Sequence, residues 1–339
     1  MNAQRPTLSV QRARGTAAEQ IVAALREADG GEVSSRAVCE RLGVSRAAVW
    51  KHIESLRGQG YVIEACSRRG YRLVAAPDTP CAAEVAPRLT TRLLGRDCRY
   101  VAETGSTNRD AAALALDGAA EGAVVAAGAQ RTGRGRMARE WFSPPGVNLY
   151  ASILLRPDVE PMRAATLPLV VGLALAESLE ALAPEVRPQI KWPNDVLVGG
   201  RKICGILCEM QAENDCVRHV VAGFGVNVNL AAEGLPEALR ERATSLRIET
   251  GRTFSRAAVL AAFLNRFEPR YDRWRAEGFE PLLPAMAQRD ALRGRTVSLE
   301  QGGRRIAGCA EGLQPDGALL LATAEGVVPV YSGEAHIGL

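Results

Sequence analysis

Residues 129–148 read AQRTGRGRMAREWFSPPGVN, and this stretch guides the interpretation of the whole chain. Gly133 and Gly135 alternate with arginines, and glycine lets a backbone turn through positive φ and come close to a ligand. The interleaved Arg134 and Arg136 supply planar donors that match carboxylate and phosphate oxygens. Glycine-rich sequence alone is also typical of a solvated, flexible loop. The pattern predicts a loop that closes over an anionic ligand, and other segments must identify that ligand.

This loop differs from two common phosphate-binding motifs. A P-loop requires a Lys-Ser or Lys-Thr pair after its last glycine, and the stretch has none. A dinucleotide fingerprint opens a helix, whereas Trp141, Phe142 and a Pro-Pro pair follow here. The chemistry of the ligand must therefore be inferred from other parts of the chain.

Three further segments accompany the loop within the length of one domain. The segment TGSTN lies upstream at 104–108. The segment 191–207 is the second, and it begins with KWPND at 191–195, a strand end followed by a tight turn. It ends with RKICGIL at 201–207, which is predicted to be a strand. The segment GFGVNVN lies at 223–229. Together with the arginine loop, in this order and at these spacings, the segments resemble the biotin–protein ligase family over most of the chain.

The N-terminal segment extends the resemblance to the bifunctional type, which is a ligase and also the biotin operon repressor. Apolar residues at helical spacing predict three short helices between Thr16 and Leu56, with Gly43 in the turn before the third. A helix-turn-helix of this kind places the start of its second helix in the major groove. Alternation at 61–64 and 71–74 predicts a hairpin wing with arginines at its tip.

The charge distribution supports operator DNA as the partner of this segment. Residues 1–76 hold 12 Lys and Arg against 7 Asp and Glu, a balance of +5, whereas the other residues hold 30 against 31. A basic excess favours contact with a polyanion. A winged helix that binds another protein is the alternative. The residues expected to contact base edges or phosphates are Ser35, Ser45, Arg46, Ala47, Lys51, His52, Arg68 and Arg69.

The composition is that of an ordinary globular protein of two or three domains, with 339 residues, 47% of them hydrophobic and 24% charged. Eight cysteines form no Cys-x-x-Cys pair and there are three histidines, so no metal site is expected. Free thiols of this kind are typical of a cytoplasmic protein. No apolar run reaches about 18 residues, which argues against a membrane span. The first residues carry arginines without an apolar segment behind them, unlike a signal peptide.

The order of elements predicts an α/β (α+β) fold. Residues 1–15 are expected to be a disordered tail, and 16–76 a winged helix-turn-helix DNA-binding domain. Residues 77–290 mix apolar strands with helices, which indicates a mixed sheet, and the resemblance implies a biotin- and ATP-binding catalytic domain of the class II synthetase type. Residues 291–339 carry short strands between glycine-containing turns and are expected to form a small SH3-like β-barrel.

The resemblance also implies the reaction and its partners. Biotin would be activated with ATP and Mg²⁺ as biotinoyl-5′-AMP, and then transferred to a specific lysine of a biotin carboxyl carrier protein. The repressor would bind operator DNA as a homodimer when its ligand is bound. No membrane partner is expected.

Site residues follow by matching the family's motifs to this sequence. Lys191 and Arg136 are expected to be catalytic. The expected biotin-binding residues are Ser106, Thr107, Asn108, Gln130, Arg134, Gly135, Arg136, Lys191, Gly205 and Gly223. The expected nucleotide-binding residues are Arg136, Trp141, Asn194, Lys202 and Asn227.

The proposed chemistry explains why cations are needed. A biotin carboxylate is already ionised near neutral pH, and it must approach an anionic phosphate, so the barrier is largely charge repulsion. Positioned arginines and lysines lower such a barrier.

The sequence departs from the family pattern at two places. Ala138 occupies a position that is usually glycine, which stiffens the loop. The basic residue found near the C-terminus of some members has no counterpart at Gly338 and Leu339.

Two other functions fit parts of the pattern. A lipoate or octanoate transferase would share the scaffold and a similar lysine, but it would lack the winged helix and the paired-arginine loop. A ligand-sensing repressor with an inactive ligase core would keep the winged helix. The intact Arg136 and Lys191 argue against an inactive core.

Overall fold

A computed structural model describes residues 16–67, 69–213, 216–301 and 304–338, without the side chains of Gln301 and Arg304. The chain divides between Pro77 and Asp78 into two compact units. The tail expected at residues 1–15 and the predicted DNA contact Arg68 lie outside the described residues.

The first unit consists of three helices and a hairpin, as the sequence predicts: α1 (Ala17–Glu27), α2 (Ser35–Leu42), α3 (Arg46–Gly58), β1 (Val62–Cys66) and β2 (Gly70–Ala75). Each helix begins after a hydroxyl residue, Thr16, Ser34 or Ser45, whose side chain accepts a backbone N–H bond. Gly43 ends α2 in the left-handed conformation, at φ +67°, which allows the sharp turn into α3. The strands pair antiparallel.

A seven-stranded mixed sheet is the centre of the second unit. Its strands are β3 (Cys98–Val101), β4 (Val124–Ala127), β5 (Leu149–Leu155), β6 (Gln189–Lys191), β7 (Asp195–Val198), β8 (Arg201–Glu213) and β9 (Cys216–Val226). They lie in the order β3-β4-β5-β9-β8-β7-β6. β3 and β4 pair parallel and the other neighbours antiparallel, so the predicted mixed α/β architecture is confirmed. The pair Gly199-Gly200 in the sequence predicts a hairpin turn, and both residues, at positive φ, form that turn between β7 and β8.

Helices cover both faces of this sheet: α4 (Ala82–Val85), α5 (Thr107–Leu116), α6 (Pro161–Ala164), α7 (Leu167–Leu182), α8 (Leu246–Thr250), α9 (Arg256–Glu277) and α10 (Leu283–Ala287). Successive residues of a strand point to opposite faces. Ile153 of β5 belongs to the large core that includes α7 and α9, whereas Leu154 packs with Ala115 of α5. The residues predicted to bind biotin near the start of α5 therefore approach the sheet from the face opposite α7 and α9.

One stretch of the described residues, Pro161–Leu182, is long and apolar enough to cross a membrane. In this fold 67% of it is buried, and its residues from α7 form part of the large hydrophobic core. Burial against the sheet explains why this helix is apolar on all sides.

After the linker at residues 75–80, the sequence pattern predicts a helix up to Leu94, and this prediction is wrong in extent. The helix stops at Val85 and is followed by a single 3₁₀ turn over residues 86–88. The carboxylate of Glu268 instead accepts hydrogen bonds from the backbone N–H groups of Arg92, Leu93 and Leu94. In a continuous helix these N–H groups would bond to carbonyls of the preceding turn. Here their acceptor is instead a side chain that lies far along the sequence.

The C-terminal residues form a five-stranded antiparallel sheet: β10 (Thr296–Gln301), β11 (Arg304–Leu313), β12 (Leu319–Thr323), β13 (Gly326–Val330) and β14 (His336–Ile337). Its order is β13-β12-β11-β10-β14. The first four strands match the predicted ones, whereas the two-residue β14 was not predicted. Buried residues of this sheet, including Val297 and Leu319, share the large core of the second unit. Trp192 Nε1 also donates to the carbonyl of Gly317, at 3.1 Å.

Candidate active site

A cleft with an empty volume of about 970 Å³, open to solvent, brings the four sequence motifs together. It is lined by every residue predicted to bind biotin and by four of the five predicted to bind nucleotide. These residues are Ser106, Thr107, Asn108, Gln130, Arg134, Gly135, Arg136, Trp141, Lys191, Asn194, Lys202, Gly205 and Gly223. Arg136 and Lys191, which lie 55 positions apart in the sequence, therefore face one cavity.

Asn227 is the predicted nucleotide-binding residue that the structure places elsewhere. Its side chain is buried, with Oδ1 accepting from Asn148 Nδ2 at 3.2 Å and Nδ2 donating to the Thr244 carbonyl at 2.9 Å. Both ends of the amide are thus engaged within the protein. This placement ties the end of β9 to neighbouring loops and gives no support to a direct nucleotide contact.

Polar groups at the start of α5 are fixed in orientation. Gln130 Oε1 accepts from the backbone N–H of Thr107, at 2.9 Å, and lies 3.2 Å from Thr107 Oγ1. The buried Ser152 Oγ lies 2.8 Å from Thr107 Oγ1 and 2.6 Å from Asn108 Oδ1. Ser106 precedes the helix without a side-chain cap bond. A connected network of this kind holds donors and acceptors ready for a polar ligand group.

Asn108 also connects this network to β8. Its Nδ2 donates to the Leu207 carbonyl, at 3.1 Å, and to Glu209 Oε2, at 2.7 Å. The oxygen of its amide lies against Gly223, where any β-carbon would overlap with it. A glycine is therefore required at 223 if Asn108 is to lie this close to the sheet.

Two more glycines on β8 and β9 accommodate the indole of Trp141. Gly205 and Gly225 are direct partners in the strand register. A β-carbon on Gly225 would overlap with the indole, and one on Gly205 would lie 2.9 Å from Trp141 Cζ3. The absence of side chains at both positions lets the ring pack directly on the strands. Gly225 was not predicted as a site residue, although it belongs to the quoted GFGVNVN motif.

Arg136 is held inside the cleft by neutral acceptors. Its Nη1 lies 3.4 Å from Asn194 Oδ1 and 3.4 Å from the carbonyl of Gly333. Asn194 is itself oriented by a 2.7 Å bond from its Nδ2 to the Ile206 carbonyl. Burial lowers the pKa of Arg136, and the nearby Asp195 and Glu334 carboxylates oppose that change. Because an arginine starts from so high a pKa, the guanidinium remains a cation.

The cations of the cleft fall into two groups. Lys202 Nζ lies 2.7 Å from Asp195 Oδ1 and 5.3 Å from the centre of the Trp141 ring, and Arg139 forms an ion pair with Glu334. In the part of the chain that the structure describes, no ion pair is formed by the other three, which are Arg134, Arg136 and Lys191. Three cations without carboxylate partners make the cleft suitable for anionic ligands.

The arginine loop is ordered as a small turn. The N–H of Gly135 donates to the Arg139 carbonyl, at 2.7 Å, and that of Trp141 donates to the Gly133 carbonyl, at 2.9 Å. At its tip, Met137 and Ala138 have φ values of 56° and 57°. Neither is glycine, so both residues lie in a backbone region that is costly for a side chain.

Residues both in the cleft and beneath it were missed by sequence reasoning. Gly333 and Glu334 come from the turn before β14, almost 200 positions after Arg136, and no local pattern signals such a contact. Ser152 could have been noticed, because it is a single hydroxyl in the apolar run LYASILL and is fully buried.

No group of three or more His, Cys, Asp or Glu side chains that could hold a metal ion is found among the described residues. Three carboxylates line the cleft, and two of them, Asp195 and Glu334, are already paired with cations. These residues do not fit a dedicated metal site made by protein ligands alone.

In the first unit, most of the predicted DNA-binding residues lie on or next to α3. Ser45 accepts from the Ala48 N–H at 3.3 Å, while Arg46, Ala47 and Lys51 are exposed on the helix. His52 and Ser35 are half-buried, and Arg69 at the hairpin tip lies 3.2 Å from Glu32.

Three family models match successive parts of the chain. Residues 18–72 match an HTH domain, 101–227 the Biotin/lipoate A/B protein ligase family, and 293–338 the Biotin protein ligase C terminal domain. The first match lies in the first unit and the other two lie in the second. The ligase match contains all four motifs around the cleft, apart from the last two residues of GFGVNVN.

Similar proteins span nearly the full length. The bifunctional ligase/repressor BirA of Bacillus spizizenii is 38% identical over 330 residues, which cover 96% of this chain and 100% of that protein. The Escherichia coli protein of the same name is 32% identical over 91% of this chain and 94% of its own length. Among solved structures, the biotin protein ligase of Aquifex aeolicus in complex with biotin and ATP aligns with a TM-score of 0.62 and 31% identity, over 71% of this chain and 98% of that one. The chain therefore belongs to the biotin protein ligase family, in the form that carries an N-terminal helix-turn-helix domain.

Proposed function

We propose that this protein activates biotin with ATP as biotinoyl-5′-AMP, transfers it to a lysine of a biotin carboxyl carrier protein, and represses transcription in response to biotin. The observation that carries the ligase proposal is the cleft itself, in which an ordered polar network and three cations without carboxylate partners face one cavity. The relatives named as bifunctional ligase/repressor support both halves of the proposal.

The cleft suggests an orientation for biotin. The ureido ring has donors and acceptors that suit the network of Thr107, Gln130 and Asn108 at the start of α5, with the Ser106 hydroxyl as a further partner. The acyl chain would run from this network along the cleft toward the arginine loop. The carboxylate would then reach Arg134, Arg136 and Lys191.

In the first half-reaction, a biotin carboxylate oxygen attacks the α-phosphorus of ATP. An O–P bond forms, the bond to the bridging oxygen breaks, and pyrophosphate leaves with the electron pair. Arg136 and Lys191 stabilise the charge that accumulates on the carboxylate and phosphate oxygens. Arg136 is suited to this role because Asn194 and Gly333 orient it through neutral acceptors and leave its charge available.

In the second half-reaction, the carrier lysine amine attacks the acyl carbon of the adenylate. A C–N bond forms, the C–O bond to AMP breaks, and the amine loses a proton. The mixed anhydride is sensitive to water, so closure of the loop around Arg136 would protect it. Trp141, which packs on Gly205 and Gly225 at the end of this loop, would help to exclude solvent.

The nucleotide would lie on the side of Asn194, Lys202 and Trp141. Mg²⁺ commonly binds through substrate phosphates and few protein carboxylates, and it would neutralise charge on the triphosphate when bound. Because the described residues form no cluster of metal ligands, we assign no protein residue to it.

Features of the chain argue against each of the two alternative functions. A lipoate or octanoate transferase has no evident use for the helix-turn-helix unit and the paired arginines. A repressor without ligase activity would have no need for cations that remain without carboxylate partners in the cleft.

Transfer of labelled biotin to a biotin-carrier domain tests the proposal, with labelled lipoate as the competing substrate. We expect ATP-dependent labelling of the acceptor lysine by biotin alone. Labelling by lipoate at an equal rate would support the transferase, and biotin binding without transfer would support the repressor that lacks ligase activity.

The finer features of the repressor are also proposals. We infer a homodimer when ligand is bound, a cytoplasmic location, and control of operator affinity by closure of the arginine loop over the ligand. We also propose that the domains of the chain end at residues 76 and 290. Operator affinity that does not respond to biotin and ATP would contradict this form of regulation.

A further inference from the structure

The third helix of the first unit exposes a tryptophan. Trp50 of α3 is 54% exposed, although the other side of the same helix is buried through Val49, Ile53 and Leu56. A large aromatic residue gains most from burial, so the core does not explain its position on the solvent side. An exposed aromatic flanked by polar residues marks a surface that another molecule covers.

The charges around Trp50 indicate the kind of molecule. Five arginines of this unit are neutralised by nearby carboxylates: Arg36 by Glu40, Arg41 by Glu27, Arg57 by Glu54, Arg69 by Glu32 and Arg72 by Glu64. By contrast, Arg46 and Lys51 have no ion pair with any residue that the structure describes. They lie on the exposed side of α3, four positions before and one position after Trp50.

This combination of an exposed indole and uncompensated cations fits double-stranded DNA. The cations suit phosphates, and α3 is the helix that a helix-turn-helix inserts into the major groove. The apolar feature that a base pair presents there is the C5-methyl group of thymine. An acidic protein surface would pair with the cations but would offer no particular apolar partner for a ring placed between them.

We propose that Trp50 is a specificity-determining residue that packs against a thymine methyl group in each half of the operator. This inference rests on the proposed repressor function and deepens it. Arg46 and Lys51 supply affinity through phosphates or neighbouring base edges, whereas Trp50 discriminates thymine from other bases at one position.

The test begins with the full-length protein, biotin, ATP and a pool of randomised duplexes. The duplex that the wild-type protein enriches is then prepared with deoxyuridine in place of each thymidine in turn, which removes one methyl group. For the wild-type protein, we expect one substitution per half-site to weaken binding about three- to fourfold, the effect of leaving one methyl group in water. Trp50→Ala should weaken binding to the unmodified duplex and become insensitive to that substitution, while Trp50→Phe should keep part of the sensitivity.

Matched measurements separate this role from others. Lys51→Ala should reduce the slope of affinity against salt concentration by about two, one for each subunit of the dimer, whereas Trp50→Ala should leave the slope unchanged. Biotin transfer by Trp50→Ala should equal that of the wild-type protein, which verifies the ligase unit. An unchanged circular dichroism spectrum and thermal unfolding curve would verify that the helix-turn-helix unit stays folded.

The following outcomes would contradict the role of Trp50. An enriched duplex that tolerates every deoxyuridine, or one whose sensitivity persists in Trp50→Ala, overturns the role of Trp50 and leaves the repressor function standing. Unchanged DNA binding by Trp50→Ala, together with altered self-association, would assign the surface to a protein contact. Enrichment of no duplex would remove the repressor function and this inference together.

Discussion

Lys202 Nζ lies 2.7 Å from Asp195 Oδ1, whereas Lys191, which lines the same cleft, forms no ion pair with any residue that the structure describes. A lysine in contact with an aspartate contributes less to the binding of an anion than one with no carboxylate at ion-pair distance, and Glu334 acts on Lys191 only from farther away. Both lysines line the cleft, and either could supply charge to the reacting oxygens. The pairing of Lys202 favours Lys191 for that role.

We expect Lys191→Ala to lower the rate of adenylate formation by at least about 10²–10³-fold, the usual effect of removing one preorganised stabilising group. Biotin-dependent pyrophosphate release measures this step. Lys202→Ala is the matched control, and its effect should be about tenfold or less, because its charge is already compensated. Equal losses in the two variants would contradict the assignment, and an unchanged circular dichroism spectrum would show that the fold is retained.

Ser152→Ala should weaken biotin binding without abolishing the chemistry. The buried hydroxyl lies 2.8 Å from Thr107 Oγ1, which also bonds to Gln130, and 2.6 Å from Asn108 Oδ1, so its loss leaves the Asn108 oxygen without a partner, at a cost of about 1–3 kcal/mol. We expect the KM for biotin to rise about tenfold with a smaller change in kcat. Ser178→Ala is a suitable control, because Ser178 is also buried but donates to the Ala174 carbonyl within α7. A similar rise in KM for both variants would indicate a general loss of stability.

Ala138→Gly should favour the observed conformation of the arginine loop. Ala138 has a φ of 57°, which costs about 1 kcal/mol or more for alanine and little for glycine. If the bound loop keeps this turn, biotin affinity should rise about fivefold, as measured by calorimetry. Ala231→Gly serves as the control, because Ala231 has an ordinary φ of −78°. Weaker binding by Ala138→Gly would show that residue 138 leaves positive φ when the loop closes.

Features determined by neighbouring residues could be predicted from the sequence, whereas contacts between distant segments could not. The motifs containing Ser106, Arg136 and Lys191 are local, and their glycines and turns fix local geometry, so the residues of the cleft could be predicted with the mixed sheet that carries them. The contact of Gly333 with Arg136 could not, since it joins segments 197 positions apart. The same limit applies to the misjudged helix before Leu94, which is interrupted by hydrogen bonds to a distant carboxylate.

That carboxylate, Glu268, should make stability depend on pH. Burial alone raises its pKa, but three backbone N–H bonds and the nearby Arg92 outweigh burial, so the pKa lies below its ordinary value of 4.5. A carboxylate with a lowered pKa in the folded state contributes stability above about pH 4.5, and this contribution is lost as the pH falls through the folded-state value. Near neutral pH, Glu268→Gln should lower the free energy of unfolding by about 1–3 kcal/mol, because a neutral amide cannot accept all three N–H groups as well.

Urea unfolding of both proteins at neutral pH and near pH 3 measures this effect. The difference in unfolding free energy between Glu268→Gln and the wild-type protein should shrink at the lower pH, because below about pH 4.5 the unfolded wild-type chain binds a proton that the folded carboxylate resists. Glu277→Gln provides the comparison from the exposed end of the same helix, and it should change stability by less than about 0.5 kcal/mol at either pH. A difference that stays constant across this range would mean that Glu268 acts through packing, and that the hydrogen bonds to Arg92, Leu93 and Leu94 do not depend on its charge.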